Sequence, residues 1–296
     1  MTRRVPVLYA IMAVTWGIPY FFIKVVVEEL QPASMVMARC GLATLILVPL
    51  AWRSGALRQG LGVFRWVVVF ALFEYIVPWY LLATAEQRLP SSVAGLLLAT
   101  TPMFATILGR LWGDRTATQW RRLVGLAIGF MGVAALLGID AWTHGLDAAS
   151  ALLILVTAAC YALAPMAVMR NTRGIDQMGI VALAMPITTL FWAWPGITQW
   201  PAQGVSMRVW GSLAILAIVC TWLAFHFYWK LAHAVGVVRA SLLTYLNPPV
   251  ALGMGVVFLG EPITTGMLLG FPLVLLGSYY ATRAPRPAME ASVAEV

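Results

Sequence analysis

The sequence contains one apolar element twice, once in each half of the chain. Residues 94–113 and residues 240–260 both begin with small side chains, run through leucines to a proline, and reach a glycine followed by an acidic residue, Asp114 or Glu261. A seven-residue glycine spacing follows each copy. A repeated apolar unit of this length predicts a duplicated membrane protein in which the two copies build one structure together.

Composition places nearly the whole chain in lipid. Of the 296 residues, 61% are hydrophobic and 10% are charged, and the mean hydropathy is +0.87. Too little polar surface remains to cover a soluble globule. Because a spanning helix needs about 20 apolar residues, the chain accommodates about ten of them. We therefore predict an all-α integral membrane protein with ten spans, at residues 7–27, 34–52, 64–85, 91–111, 121–139, 148–169, 178–195, 209–232, 237–259 and 264–282.

The distribution of charge predicts the orientation in the membrane. Cations that flank short loops are retained in the cytoplasm. With the N-terminus inside, 15 of the 19 cations fall on inner segments, and we predict that both termini are cytoplasmic. The acidic residues predicted on the outer side are Glu28, Glu29, Glu86, Asp140, Asp147 and Glu261. Because the net charge of +8 is spread over separate inner segments, we expect no nucleic-acid partner.

An odd number of spans in each half inserts the second copy from the opposite side of the membrane. We predict inverted five-helix repeats at residues 1–143 and 144–283, followed by a cytoplasmic tail without fixed structure at residues 284–296. Inverted repeats place a substrate site at their interface near the bilayer midplane, and rocking of the repeats exchanges inner and outer access.

Several features occur in an order that is typical of one family. Trp16-Gly17 is followed by Lys24 and then by Arg39 in the second span, and each half contains the Pro-to-Gly-acidic element. This ordered, duplicated set resembles the EamA-type drug/metabolite transporter (DMT) superfamily over nearly the whole chain. The resemblance implies a ten-helix exporter of amino acids or other small metabolites, with a central cavity lined by both halves. The second half departs from the pattern, because its second span has no arginine that matches Arg39.

Glu74 is the most informative single residue. It lies near the middle of the third predicted span, roughly 14 Å along the helix from Arg65 at the inner flank. A charged residue at the centre of a spanning helix costs about 2.5–3.5 kcal/mol, so this carboxyl is expected to face a cavity or a partner. We interpret it as a proton carrier or a ligand for a substrate ammonium; the alternative is a structural carboxyl that is neutral or hydrogen-bonded between helices. Its counterpart in the second half lies near Thr221, which is neutral.

Three further ionisable residues lie within the predicted spans. Lys24 is expected to extend to the lipid headgroups. Arg39 is deeper and is a candidate clamp for a substrate carboxylate, the alternative being an ion pair with a glutamate at position 28, 29 or 74. His226 suits a proton relay, although an interhelical hydrogen bond is the favoured interpretation.

Aromatic and polar residues deep in the spans are candidates for the wall of a transport pathway. Aromatic faces stack on planar solutes and attract ammonium groups, and placement in the core or against lipid is the alternative for each. The candidates are Trp16, Tyr20, Trp79, Tyr80, Trp222, Tyr245 and Asn247. Prolines inside spans free backbone carbonyls that need protein, water or substrate as partners. The expected hinges or helix breaks are Pro19, Pro78, Pro102, Pro165, Pro248 and Pro249.

The sequence contains none of the catalytic motifs that would indicate an enzyme or an ATP-driven pump. Gly-x-Ser-x-Gly, His-Glu-x-x-His and the phosphate-binding Gly-x-x-x-x-Gly-Lys motif are all missing. We therefore predict that the protein is not an enzyme, that it holds no cofactor or metal, and that a gradient supplies its energy. Cys40, Cys160 and Cys220 have no metal-binding spacing and are expected to be packing residues.

Together these features predict a multi-pass secondary transporter of the inner (plasma) membrane. We expect a small-molecule substrate and the lipid bilayer as partners, and a monomer, since the pairs Gly125–Gly129 and Gly266–Gly270 favour packing within one chain. The first choice is export of amino acids, with aromatic ones favoured by the deep Trp and Tyr residues and by the resemblance to a family that contains YddG-like exporters. The alternatives are export of drug-like cations or nucleotide-sugar-like solutes and, in another class, an integral membrane enzyme or scaffold.

Overall fold

The computed structural model describes residues 4–111, 119–169, 171–235, 243 and 245–282, and the regular structure of this part of the chain is helical. Gly113 and Asp114 of the first repeated element, residues 240–242 of the second, and the tail at 284–296 lie outside the described residues. The helices of the first half are α1 (Arg4–Gly17), α2 (Pro19–Val27), α3 (Pro32–Arg53), α4 (Ala56–Gly62), α5 (Phe64–Phe70), π1 (Ala71–Ile76), α6 (Val77–Glu86), α7 (Ser91–Leu98), α8 (Thr101–Leu111) and α9 (Trp120–His144), where π1 is a π-helical segment.

The second half repeats much of this order. Its helices are α10 (Ala148–Met169), α11 (Gln177–Phe191), α12 (Ala193–Thr198), α13 (Met207–Ala217), the π-helical segment π2 (Ile218–Leu223), α14 (Ala224–Val235), α15 (Asn247–Leu259) and α16 (Thr265–Thr282). Two short helices, α4 and α12, lie at the ends of spans and were not predicted from the sequence.

Seven helical stretches within the described ranges are long and apolar enough to cross a membrane. They are Val5–Val27, Pro32–Arg53, Phe64–Glu86, Ser91–Leu111, Trp120–Asp140, Ala148–Val168 and Met207–Tyr228. Three shorter apolar helices, Gln177–Phe191, Asn247–Leu259 and Thr265–Ala281, coincide with the predicted spans seven, nine and ten. The all-helical membrane class is confirmed, whereas the count of ten spans, the cytoplasmic placement of both termini and the repeat boundaries stay predictions.

Both halves contain a π-helical segment at the corresponding place. π1 contains Glu74 and π2 contains Thr221, the pair that the sequence comparison of the halves had matched. A π-helical segment inserts one extra residue into the helical turn and is frequent at functional sites. In π1 the last π-type bond joins the Val77 N–H to the Leu72 carbonyl. The next bond in the series would need an N–H at Pro78, which has none, so the segment ends there.

Glycines let the last long helices of the two halves pack closely. A Cβ at Gly132 would meet the backbone of Gly270 at 2.7 Å, and one at Gly277 would meet the backbone of Gly129. Gly125 likewise lies against Gly277. Since α9 and α16 belong to the same chain, the close approach that the glycine spacing predicted occurs within the molecule.

Two apolar clusters surround the middle of the molecule. One joins side chains of α2, α6, α7, α10 and α13, and the other joins side chains of α3, π1, α6 and α11. Tyr161 of α10 packs against both clusters. Both clusters therefore combine residues from the two halves of the sequence, so neither half forms its core alone.

The segments between helices that contain Glu28, Glu29, Asp147 and Glu261 are joined by hydrogen bonds at one end of the molecule. We call this end the acidic end. The bonds that join these connections, most of them across the two halves, are Ser206 N–H and Oγ to the Glu29 carboxylate at 2.8 and 2.6 Å, Arg88 to Asp147 at 3.3 Å, and the Ser91 and Ser92 N–H groups to the Glu261 carboxylate at 2.7 and 2.9 Å. Arg208 also pairs with Glu28 at 3.5 Å. These contacts therefore tie the helix connections of the two halves together at the acidic end.

Two acidic-end residues differ from the sequence-based expectation. Lys24 does not extend to the headgroups: its ammonium donates to the backbone carbonyls of Glu86 and Leu89 at 2.6 and 2.9 Å. Glu86 is the last residue of α6 and Leu89 follows the helix, so neither carbonyl has a helical donor and both are free to accept from the half-buried ammonium. Glu86 lies at the predicted outer side, but its side chain is 0% exposed.

Candidate functional site

A cavity of about 250 Å³ lies between the two halves. Its wall is formed by Trp16, Pro19, Tyr20, Ile23, Arg39, Glu74, Tyr75, Trp79, Leu82, Gly95, Leu98, Ala99, Thr101, Tyr161, Cys220, Thr221, Phe225, Asn247 and Pro248. Both π-helical segments contribute to it, and so does the first repeated element through the residues around Leu98. The wall combines one guanidinium, one carboxyl, several aromatic faces and a few neutral polar groups.

The carboxyl of Glu74 faces this cavity from π1. Within the described part of the chain, no hydrogen bond or ion pair is found for it, so a hydrogen bond between helices does not occur there; the proton-carrying, ammonium-binding and neutral structural roles stay predictions. On the opposite half, Thr221 of π2 donates its hydroxyl to the Leu216 carbonyl at 2.9 Å. The acid is therefore a feature of one half only, although both halves provide the same backbone geometry.

Arg39 enters the cavity from the middle of α3 and is 4% exposed. Its guanidinium lies over the ring of Trp79, 3.5 Å from the ring centroid, and one terminal N–H group donates to the Thr221 hydroxyl at 3.4 Å. The Nε atom is buried and has no hydrogen-bond partner among the described residues. The alternative of an ion pair with Glu28, Glu29 or Glu74 does not occur in the described ranges, where Glu28 pairs with Arg208 and Glu29 with Ser206.

Two other polar atoms of the wall are buried without a partner among the residues that the structure describes. They are the hydroxyl of Tyr75 and the Oδ1 of Asn247. Most buried polar groups in folded proteins are hydrogen-bonded, and each exception needs an explanation such as water or a ligand. With the Arg39 Nε, the wall therefore offers two donors and one acceptor in addition to the Glu74 carboxyl.

The aromatic wall is organised around two tryptophans. Trp16 contacts the rings of Phe225 and Tyr228, with centroids 6.0 and 5.2 Å away. Trp79 packs edge-on against Tyr75 at 4.9 Å while its face covers Arg39. These contacts fix the rings, so the wall presents ordered aromatic surfaces to a solute.

The structure brings six of the ten sequence-predicted pathway residues to the cavity: Glu74, Arg39, Trp16, Tyr20, Trp79 and Asn247. The other four do not line it. Tyr80 stacks on Trp192 at 4.3 Å, Trp222 packs against the apolar cluster around α3, and His226 is exposed beside Phe227. Tyr245 lies in the turn before α15.

The proline positions explain how the helices are interrupted. Pro19, Pro102, Pro248 and Pro249 lie in the first turns of α2, α8 and α15, where the missing N–H has no consequence. Pro165 is different: it lies inside α10, which is continuous over 22 residues. A proline there has no N–H to donate to the carbonyl four residues earlier, so one helical hydrogen bond is missing. The remaining bonds keep the helix intact. That carbonyl belongs to Tyr161 of the cavity wall.

Several wall residues were not singled out as site residues from the sequence. Tyr75, Tyr161 and Thr221 carried a signal, because the two tyrosines lie deep in spans and Thr221 matches Glu74. Gly95, Leu98, Ala99 and Thr101 lie in the repeated element itself, which could have indicated them. Ile23, Leu82, Cys220 and Phe225 are apolar residues of ordinary spans, and nothing in the sequence distinguishes them.

The carboxylates of the acidic end outside the spans are held ionised by their neighbours. The hydrogen bonds from the Ser206 side chain and N–H lower the pKa of Glu29. The Ser150 hydroxyl, and to a lesser extent Arg88 and the Ala149 N–H, lower the pKa of Asp147. Both groups are therefore charged at neutral pH.

Comparison with known proteins agrees with this architecture. A solved crystal structure of a protein superposes with a TM-score of 0.66 at 18% sequence identity, covering 95% of this chain and 97% of the other, which shows the same fold. Among curated proteins, an uncharacterized inner membrane transporter of Escherichia coli, YedA, is 26% identical over 92% of this chain and 90% of its own length. A probable amino-acid metabolite efflux pump of Salmonella typhimurium is 24% identical over 94% and 95% of the two chains.

The model of the EamA-like transporter family matches twice, at residues 4–138 and at residues 148–283. The two matches cover nearly the whole chain, one in each half, as the duplicated element predicted. With the apolar helices and the shared cavity, they identify the molecule: it is a transmembrane transporter that belongs to the EamA-like transporter family.

Proposed function

We propose that the protein exports small zwitterionic metabolites, with amino acids as the first choice, by alternating access to the cavity between its halves. One observation supports this most strongly: among the described residues, the cavity contains a buried guanidinium whose Nε has no hydrogen-bond partner and a carboxyl without a protein partner. The relative named a probable amino-acid metabolite efflux pump points to the same substrate class. The name of the Escherichia coli relative and the apolar helices place the chain in the inner membrane as a multi-pass protein.

The two charged groups suit the two ends of an amino acid. A guanidinium binds a carboxylate through parallel N–H groups, and Arg39 still has its Nε free for such a contact. Glu74 and the free Oδ1 of Asn247 are acceptors for an ammonium. Tyr75 follows Glu74 in π1 and packs against Trp79, whose face covers Arg39, so both charged residues line the same cavity.

The size and the walls of the cavity favour a small substrate. Its volume of about 250 Å³ is below the range of roughly 300–1,000 Å³ that is usual for drug-sized ligands, which argues against nucleotide sugars. The ordered rings of Trp16 and Trp79 would stack on an aromatic side chain, and this favours aromatic amino acids within the class.

Lipophilic cations are the second candidate. A carboxyl without a partner beside aromatic faces is also a binding site for a substituted ammonium. In that case Glu74 and the tryptophans would bind the substrate, and Arg39 would contribute nothing or repel it. The response of transport to an Arg39 substitution therefore distinguishes the two candidates.

Reconstituted vesicles provide the test. Vesicles loaded with labelled phenylalanine, threonine or a lipophilic cation are diluted into unlabelled buffer, with and without an imposed pH gradient, and efflux is measured. We expect phenylalanine to leave faster than from protein-free vesicles. Efflux of the cation alone would refute the proposal in favour of the second candidate, and a rate unaffected by the gradient would refute a proton-carrying role for Glu74.

Matched variants connect the efflux to the cavity. Arg39→Lys keeps the charge but loses the planar fork, so the apparent KM for an amino acid is expected to rise about tenfold or more. Glu74→Gln should also raise KM, because the ammonium loses its counter-charge. Arg58→Lys, at an exposed position of α4, is the control and should leave KM unchanged. Equal effects of the Arg39 and Arg58 substitutions would contradict the assignment of Arg39.

A further inference from the structure

A polar layer separates the cavity from the acidic end. Its side chains are those of Lys24, Glu86 and Glu261, together with Ser91 and Ser92 at the start of α7. The layer lies directly beyond the cavity wall, because Lys24 follows the wall residue Ile23 and Glu86 lies one turn beyond the wall residue Leu82. Opening the cavity toward the acidic end must pass through this layer.

Two of the three charges in the layer are well compensated. The Glu261 carboxylate accepts hydrogen bonds from the N–H groups of Ser91 and Ser92 at 2.7 and 2.9 Å, at the N-terminus of α7, where a negative charge is favourable. The Lys24 ammonium donates to the carbonyls of Glu86 and Leu89. Two of its three donors are therefore used by backbone, not by a carboxylate.

The third charge, that of Glu86, has no such support. Its side chain is 0% exposed, and both carboxyl oxygens are buried without a hydrogen-bond partner among the described residues. An ionised carboxylate buried in this way costs several kcal/mol, and such a group takes up a proton instead. The mechanism proposed for Glu74 does not use this acid.

The neighbouring charges do not change that conclusion. Within the described ranges, the side chains that act electrostatically on Glu86 are Lys24 of α2, Glu261 and Arg39 of α3, and Glu86 itself acts on Tyr20. α10 packs against α6 and carries Cys160 and Tyr161 as titratable side chains, and neither of them forms a hydrogen bond with the Glu86 carboxyl. The Lys24 ammonium donates to backbone carbonyls and the Glu261 carboxylate accepts from backbone N–H groups, so among the described residues no group in the layer forms a hydrogen bond with the Glu86 carboxyl.

We propose that Glu86 is a second proton-binding site, which holds a proton while the acidic end is closed and releases it when that end opens to water. In this arrangement the proton concentration on the acidic side controls access to the cavity: acid favours the closed end and alkali favours the open one. The positive-inside rule assigns this side to the outside of the cell. The proposal uses the alternating access of the proposed function but is independent of the substrate.

A native cysteine allows a test without substrate. Cys220 lines the cavity, whereas Cys40 and Cys160 do not, so the variant Cys40→Ala/Cys160→Ala keeps one reporter thiol. In vesicles with the acidic end facing outward, the rate of modification of Cys220 by a charged, membrane-impermeant methanethiosulfonate is measured from external pH 5.5 to 8.5. The same measurement on Glu86→Gln, which mimics the protonated acid, gives the intrinsic pH dependence of the thiol.

The ratio of the Cys220 modification rates in the parent and in Glu86→Gln measures how far the acidic end opens. We expect the ratio of the parent to Glu86→Gln to be lowest at pH 5.5 and to rise by up to about tenfold per pH unit, as the release of one proton requires, until the end is open. Lys24→Met should move this rise to higher pH, because the ionised carboxyl loses its nearest cation. Glu28→Gln, an exposed carboxyl at the same end, is the control and should behave as the parent does.

Three results would overturn the proposal: a ratio that is independent of pH, a Glu86→Gln variant that opens more readily than the parent, or a Glu28→Gln control that abolishes the pH response as well. If Glu86→Gln does not fold, the shift expected for Lys24→Met decides alone, and no shift refutes the site. A failure of the amino-acid efflux assay with an intact pH response would remove the proposed substrate and leave the proton site in place.

Discussion

Two alanine substitutions in α9 test the glycine contact between α9 and α16. Gly132 and Gly138 lie in the same helix, but a Cβ at Gly132 would be 2.7 Å from the Gly270 carbonyl oxygen and from the Val274 nitrogen, whereas nothing lies within 4 Å of a Cβ at Gly138. Both substitutions give the same gain in helix propensity, about 1 kcal/mol. Only Gly132→Ala adds a methyl group where backbone already lies.

The loss of stability expected for Gly132→Ala follows from the distance between the added methyl group and the backbone of α16. An ordinary contact begins at 3.4 Å, so the helices must separate by about 0.7 Å at Gly132, against backbone atoms that cannot rotate away. Overpacking of this kind costs about 1–3 kcal/mol. A shift carried along the helix would also lengthen the 2.7 Å hydrogen bond from the Thr264 hydroxyl to the Asp140 carboxylate beyond the usual limit of about 3.2 Å.

Thermal unfolding in detergent measures the difference. We expect the apparent melting temperature to fall in the order Gly138→Ala, parent, Gly132→Ala, with a spread of several degrees, since about 1 kcal/mol corresponds to roughly 2–4 °C in chains of 150–250 residues. Equal melting temperatures of the two variants would show that the backbone contact between α9 and α16 is not as close as described. A more stable Gly132→Ala variant would refute the overpacking argument directly.

Two other predictions concern the acidic end. Glu261→Ala removes the acceptor for the first N–H groups of α7 and should lower the free energy of unfolding by about 0.5–2 kcal/mol. Glu261→Gln keeps one oxygen and should lose less stability. Equal melting temperatures of the two variants would contradict the capping role. The lowered pKa of Glu29 means that its bonds to Ser206 add stability above the ordinary pKa of about 4.3 and lose it as the pH falls through the lowered value. Glu29→Gln should therefore be less stable than the parent at pH 7 and approach the parent's stability as the pH falls through the lowered pKa, and a difference as large in acid as at pH 7 would refute the linkage.

The sequence predicted the class of fold because lipid leaves few alternatives. In the absence of water, backbone groups must bond within helices, so spans can be recognised from composition and length alone. The Glu74–Thr221 correspondence was also visible in the sequence, because duplication preserved the spacing around it. The π-helical geometry at both positions was not visible, since one extra residue in a turn leaves no compositional signal.

Six pathway residues were predicted from depth and chemistry, and four predicted ones lie elsewhere. The difference has a physical cause. The depth of a residue in the membrane follows from its position along the chain, but the direction in which its side chain points depends on the rotation of each helix against its neighbours. Tyr80 follows Trp79 directly, yet it points to Trp192 instead of the cavity. Lys24 and Glu86 were placed by the same reasoning at the membrane surface, whereas contacts from distant segments keep both inside the molecule.

The sequence alone determined that this chain is a duplicated helical membrane protein of the EamA-like type, because hydrophobicity and repetition are properties of the chain itself. Only the tertiary structure decided which charges are satisfied. In the part of the chain that the structure describes, Arg39 lies over Trp79 with no hydrogen-bond partner for its Nε, Glu261 caps α7 in the other half, and the Glu86 carboxyl has no hydrogen-bond partner. These outcomes depend on distances between atoms that are far apart in sequence, and a hydrogen bond forms or fails within a few tenths of an ångström.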